Sequence, residues 1–136
     1  MPLMEWGPKL SVGISAFDGE HQRLVGMVND LFDAVNAGKG KDRLGPILDG
    51  LISYTVTHFQ HEEREMKQHA FPGFAKHKEE HDALTKQVSE VQRKFAAGAT
   101  AALSVEVMNF LKNWLIKHIM GTDKGYTAFL QAKGVK

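Results

Sequence analysis

A chain of 136 residues, 24% charged and 43% hydrophobic, has the size and balance of one globular domain and is long enough to bury a core. Its net charge of +1 gives no electrostatic pull toward nucleic acid, and no apolar run approaches the ~20 residues of a membrane span. The absence of cysteine excludes disulfides and thiolate ligands, so any metal must be held by nitrogen and oxygen.

Residues 1–17 form a turn-rich arm punctuated by Pro2, Gly7, Pro8 and Gly13. Trp6, Leu10, Val12 and Ile14 suit it to pack on a larger body. MPLMEWGPKL lacks the basic start and apolar stretch of a signal peptide, so the expected location is the cytoplasm. A first helix is predicted over about 19–37, with Asp18 as its N-cap and Gly38 and Gly40 at its end. His21, Leu24, Val25, Val28, Leu31, Phe32 and Val35 recur along it at helical spacing. A second helix is predicted over about 42–69, with Pro46 tolerable only near its start and FPG at 71–73 as its stop. Leu48, Leu51, Ile52, Thr55, Phe59 and Met66 form its apolar stripe. A third runs over about 74–96, carrying His77, His81, Leu84, Val88, Val91 and Phe95 on one face. A fourth starts near Leu103 and aligns Val107, Leu111, Trp114 and His118, with Gly121 expected to disturb it. A short amphipathic tail follows, with Tyr126, Phe129 and Leu130. There is no internal repeat and no low-complexity segment.

Four amphipathic helices with short connections predict an all-α, antiparallel up-down four-helix bundle. The expected layout is one domain over 1–136: an extended arm (1–17), the bundle (18–120) and a short C-terminal helix (121–136).

The histidines are out of place for a core. Helical residues advance about 100° each, which puts His58 and Glu62 roughly 75° and 35° from the centre of the second helix's stripe. His61 and Glu65 fall roughly 135° and 95° away, and read as a solvated pair of little energetic weight. His77 and His81 occupy stripe positions that should be leucine, His118 continues the line of Trp114, and His21 opens the line of the first helix. A lone buried histidine finds a backbone carbonyl, but an unpartnered one is costly. In an antiparallel bundle the start of the first helix lies near the end of the second, the start of the third and the end of the fourth. Five imidazoles therefore converge at one level of the core with Glu62 among them, and cations explain such a cluster. Five nitrogens exceed one tetrahedral zinc site, so two metals bridged by carboxylates is the economical reading. Asp123 follows His118 by five residues, about 140° away on a regular helix, and Gly121 is the residue that would let the backbone depart and turn it inward.

FDGEHQRL around His21, HFQHEE at 58–63, HKEEH at 77–81 and HIMGTD at 118–123, with Trp6 and SVGISAFD in the arm, resemble the hemerythrin family and its bacterial single-domain members. The resemblance covers nearly the whole chain, and it implies two non-haem iron ions. It assigns His77, His81 and His118 to one iron and His21 and His58 to the other. Glu62 and Asp123 would bridge them, with an oxo or hydroxo group as third bridge. It places Leu24, Phe59, Trp114, Leu115 and Ile119 around bound oxygen. His61 and His69 match no ligand position, and His69 is expected to interact with the end of its helix. The implied function is reversible dioxygen binding for carriage, storage or delivery, not catalysis, with an unidentified oxygen-consuming recipient protein. A di-iron redox enzyme (peroxidase, oxidase or nitric-oxide-reducing) and an oxygen or iron sensor are the alternatives.

Overall fold

The computed structural model describes residues 4–38, 41–98 and 105–135. Helices α1 (Ser15–Asn36), α2 (Lys41–Gln68), α3 (Phe74–Ala96) and α4 (Val105–Lys117) follow a short 3₁₀ turn, Pro8–Leu10. After α4 come a π turn, His118–Thr122, a second 3₁₀ turn, Asp123–Tyr126, and α5, Thr127–Ala132. Among the described residues there is no strand, and no helix is long and apolar enough to cross a membrane. Gly40 and Leu103, read as the end of α1 and the start of α4, lie outside the described residues.

The antiparallel order is visible in the side-chain pairings. Going up α1, Glu20 meets His58, Arg23 lies over Tyr54, and Met27 touches Gly50. Going up α3, His81 meets Glu63, Gln92 bonds Asp49, and Phe95 reaches Gly45. In each pair of helices one number rises as the other falls, which is the register of an up-down bundle. α1 packs on α2 and α4, and α2 packs on α3. The core joins Phe17, Leu24 and Leu31 to Leu48, Met66, Leu84, Met108, Ile119 and Leu130.

The start of α1 differs from the sequence expectation. The helix begins at Ser15 with Ile14 in the cap position, so Asp18 is one turn inside it. Its carboxylate accepts the Val12 N–H at 2.7 Å and the Ser11 hydroxyl at 2.6 Å, which clamps the arm to the helix. An acidic residue suits the cap and the first turn for the same reason, the unpaired N–H groups and positive dipole end found there. The sequence alone does not separate the two positions. Leu10, Val12 and Ile14 of the arm are buried. α2 ends with Ala70 in the left-handed region and Phe71 N–H bonded to Met66 O, a Schellman closure built without glycine.

Candidate metal centre

Seven side chains chosen from the sequence lie together: His21 on α1, His58 and Glu62 on α2, His77 and His81 on α3, and His118 and Asp123 on the π turn and its end. All are at most 3% exposed. The last step depends on backbone geometry. The Asp123 N–H bonds to His118 O across five residues, as a π turn requires. The wider turn reduces the 140° offset of a regular helix, and Asp123 Oδ1 lies 3.0 Å from His118 Nε2.

The donor atoms form two halves. Those of Glu62, His77, His81, His118 and Asp123 lie within 4.8 Å of one another, as do those of His21, His58 and Glu62. Each carboxylate turns one oxygen to each half. Glu62 Oε2 is 3.1 Å from His21 Nε2 and 3.3 Å from His58 Nε2, whereas Oε1 is 3.2 Å from His81 Nε2 and 3.6 Å from His77 Nε2. Asp123 Oδ2 is 3.1 Å from His21 Nε2, whereas Oδ1 is 2.8 Å from His77 Nε2.

Hydrogen bonding accounts for only part of this crowding. Glu62 Oε1, His77 Nε2 and both Asp123 oxygens have no hydrogen-bond partner although they are buried against polar atoms. His81 donates its Nδ1–H to Glu63 at 2.9 Å, so its Nε2 lone pair faces His118 Nε2 at 3.1 Å. Buried carboxylate oxygens and ring nitrogens left without partners at such distances fit a shared cation, and imidazole with carboxylate suits a borderline transition metal. Without metal, the carboxylates favour the protonated forms of His21 and His77. Burial opposes charge on His21 and His77, but the close carboxylates of Asp123 and Glu62 outweigh it and push them up to about 10 and about 9. Burial likewise opposes ionisation of Glu62, and the surrounding imidazoles still hold its carboxyl well below the usual range. Asp123 is lowered in the same way, against both burial and the charge of Glu62.

Flat rings hold the imidazoles in place. Phe59 stacks on His81 with centroids 3.8 Å apart, Trp114 on His118 at 4.5 Å, and Tyr126 on His77 at 5.5 Å. Phe59 and Trp114 also line a core cavity of about 40 Å³ together with Leu24 and Leu115. Its almost wholly apolar wall offers water few hydrogen-bond partners. Ile119, grouped with them from the sequence, is fully buried but does not line it.

Several partners were not read from the sequence. Glu20 Oε1 accepts from His58 Nδ1 at 2.6 Å while Oε2 accepts from His61 Nδ1 at 2.7 Å. Glu63 holds His81, and the Tyr126 hydroxyl donates to Glu62 Oε2 at 2.6 Å. The expected His61–Glu65 pair is therefore corrected: His61 reaches across to α1, because α1 packs against that flank of α2. Glu65 lies instead 3.6 Å from His69 Nε2, so the His69 ring meets a carboxylate one turn back instead of the helix-end carbonyls. The available signal was adjacency, since Glu20 precedes His21 and Glu63 follows Glu62.

A bundle that gives seven core positions to imidazole and carboxylate is built around metal, which sets the class: a helical metal-binding protein. The profile of the Hemerythrin HHE cation binding domain matches residues 12–130. The chain is 37% identical over 133 residues to a bacteriohemerythrin of Methylococcus capsulatus, covering 97% of this chain and all of that one. It is 33% identical to a bacteriohemerythrin of Stenotrophomonas maltophilia, covering 97% of this chain and 84% of that one. A wild-type hemerythrin crystal structure superposes with a TM-score of 0.87 at 37% identity, covering 94% of this chain and 98% of that one. The chain belongs to the hemerythrin family.

Proposed function

We propose that this protein binds dioxygen reversibly at a non-haem di-iron centre and so carries, stores or delivers oxygen. The observation that carries the reading is that Glu62 and Asp123 each present one oxygen to each half of the cluster, which is what a pair of bridged metals needs. His77, His81 and His118 would hold one iron and His21 and His58 the other, so the second half has one imidazole fewer and room for a small ligand. Two iron ions bound there, with an oxo or hydroxo group as their third bridge, would supply the electrons and the open position for dioxygen.

The chain's own part is to orient and to exclude. Glu20 and Glu63 fix the Nδ1–H tautomers of His58 and His81, leaving Nε2 for metal. Leu24, Phe59, Trp114, Leu115 and Ile119 would keep water from the centre, the first four as walls of the apolar cavity. Five neutral imidazoles and two carboxylates are poor in the anionic donors that stabilise high oxidation states. Carboxylate-rich di-iron bundles place a glutamate on every helix, and this set does not. Binding is therefore favoured over oxidation chemistry.

Anaerobic loading of the metal-free protein with Fe(II), followed by cycles of oxygen and vacuum under a visible spectrometer, tests this. Two irons per chain and an absorption that appears and disappears with oxygen are expected. Irreversible oxidation with no recoverable adduct, or sustained turnover of peroxide or nitric oxide, would replace the carrier reading with an enzymatic one.

A further inference from the structure

We propose that Tyr126 is a positioning residue that aims Glu62 at the His21–His58 half of the centre, making metal retention in that half depend on the phenol. The inference rests on the metal reading above and adds to it an asymmetry between the halves.

Glu62 comes from a long side chain, and its two oxygens are not treated alike. Oε2, which faces His21 and His58, accepts the Tyr126 hydroxyl at 2.6 Å. Oε1, which faces His77 and His81, has no hydrogen-bond partner. An ionised carboxylate can only accept, so the phenol is the donor. One lone pair of Oε2 is thereby engaged from the tail side, and the other is left toward His21 and His58. Asp123 has no comparable anchor, since neither of its oxygens has a hydrogen-bond partner.

The phenol is itself fixed on all sides. Tyr126 is fully buried, lies on the His77 ring at an interplanar angle of 15°, and meets Phe17 at 5.4 Å. The next residue ties it to the arm: the Thr127 hydroxyl donates to Val12 O, and one turn on, Gln131 Nε2 donates to Gly13 O at 2.7 Å. Asp18 clamps the arm in turn by accepting the Val12 N–H. The hydroxyl thus sits at the end of a bonded chain from α1 through the arm and tail to one oxygen of Glu62. The half it serves has four donors, namely His21, His58, Glu62 Oε2 and Asp123 Oδ2. The other half has five, with three imidazoles. Where donors are fewer, each matters more.

The test loads metal-free protein anaerobically with Fe(II) and follows its release to a ferrous chelator. Wild-type protein is expected to hold two ions and to release them in two phases, the four-donor half first. Tyr126→Phe, which keeps the ring and removes the hydroxyl, should quicken the fast phase about tenfold, as loss of an outer-shell partner does, and move the slow phase much less. Unchanged release overturns the proposal, and so does equal acceleration of both phases, which marks general loosening. Far-ultraviolet circular dichroism of the metal-free variant checks that it folds. A measurement independent of any variant uses ring-deuterated tyrosine in the wild-type chain, where the background is Tyr54 alone among two tyrosines. The infrared C–O band of Tyr126 is expected to shift on metal loading, and a band that stays put overturns the proposal. Failure of the wild-type protein to take two ions would instead bring down the metal reading itself, and this inference with it.

Discussion

At the scale of the residue, Glu20 shows how a half-buried surface carboxylate becomes part of the centre. Its two oxygens join His58, buried in the core, to His61, which keeps about a quarter of its surface exposed. Burial alone would raise its carboxyl, but the His58 and His61 hydrogen bonds and charges outweigh that and lower it. Glu20→Ala should therefore leave the His58 ring unheld and weaken metal at the two-histidine half by about 10–100-fold, measured by anaerobic chelator competition. His61→Ala keeps the Glu20–His58 bond and should change the affinity little. Equal losses in the two variants would show that the pair acts through surface charge and not through the ring. The same residues mark what was legible in the sequence. His21, His58, His77, His81, His118 and Glu62 stood out because polar groups sat where each helix should be apolar, a contrast visible within one helix. Glu20, Glu63 and Tyr126 gave no such contrast. Two glutamates beside exposed positions look like any solvated face, and a tyrosine on an apolar line looks like core. Their roles depend on which flank of the neighbouring helix they meet, and that is set by packing between elements.

At the scale of the element, the five-residue turn His118–Thr122 decides whether the fourth helix contributes one donor or two. The sequence placed an irregularity at Gly121 but not its form. No Cβ clash and no left-handed backbone singles out Gly121, so glycine here marks the irregular turn without being forced by sterics. Helix spans were otherwise close to the hydrophobic periodicity, because α2 and α3 keep helical spacing of buried positions along nearly their whole length. The error at Asp18 came at a terminus, where cap and first-turn positions share the same electrostatics. A π turn bonds residues five apart and so keeps the fifth nearer to the starting face than a regular helix does. Inserting one alanine between Met120 and Gly121 makes the spacing six and should carry Asp123 away from His118 and the tail away from Glu62. Metal analysis is expected to give fewer than two ions per chain for this insertion. A full complement of two would mean that the backbone has other ways of delivering Asp123.

At the scale of the whole molecule, protons and metal compete for one set of lone pairs, and the competition has a definite sign. In the metal-free protein the Asp123 and Glu62 carboxylates push His21 up to about 10 and His77 up to about 9 from the ordinary 6.5, and His58 is raised as well. A raised histidine stabilises the fold fully below its unfolded value, and that contribution is lost as pH climbs through the folded one. Glu62 and Asp123 are lowered, so their contribution holds above their ordinary carboxylate values and is lost only as the solution becomes strongly acidic. The metal-free protein should therefore be most stable in mild acid and lose stability steadily from about pH 6.5 to about pH 10. With each kcal/mol lowering the melting temperature of a domain this size by about 3 °C, a fall of at least ~5 °C between about pH 6 and pH 9.5 is expected. Bound metal requires neutral imidazoles, so its binding releases protons and tightens over the same range. The gap in melting temperature between loaded and metal-free protein should widen as pH rises. Thermal melts of both forms at the two ends of that window give the answer directly. A metal-free protein that gains stability toward alkaline pH, or a gap that narrows, would mean that the imidazoles are satisfied by something other than the two carboxylates and the metal they are arranged to share.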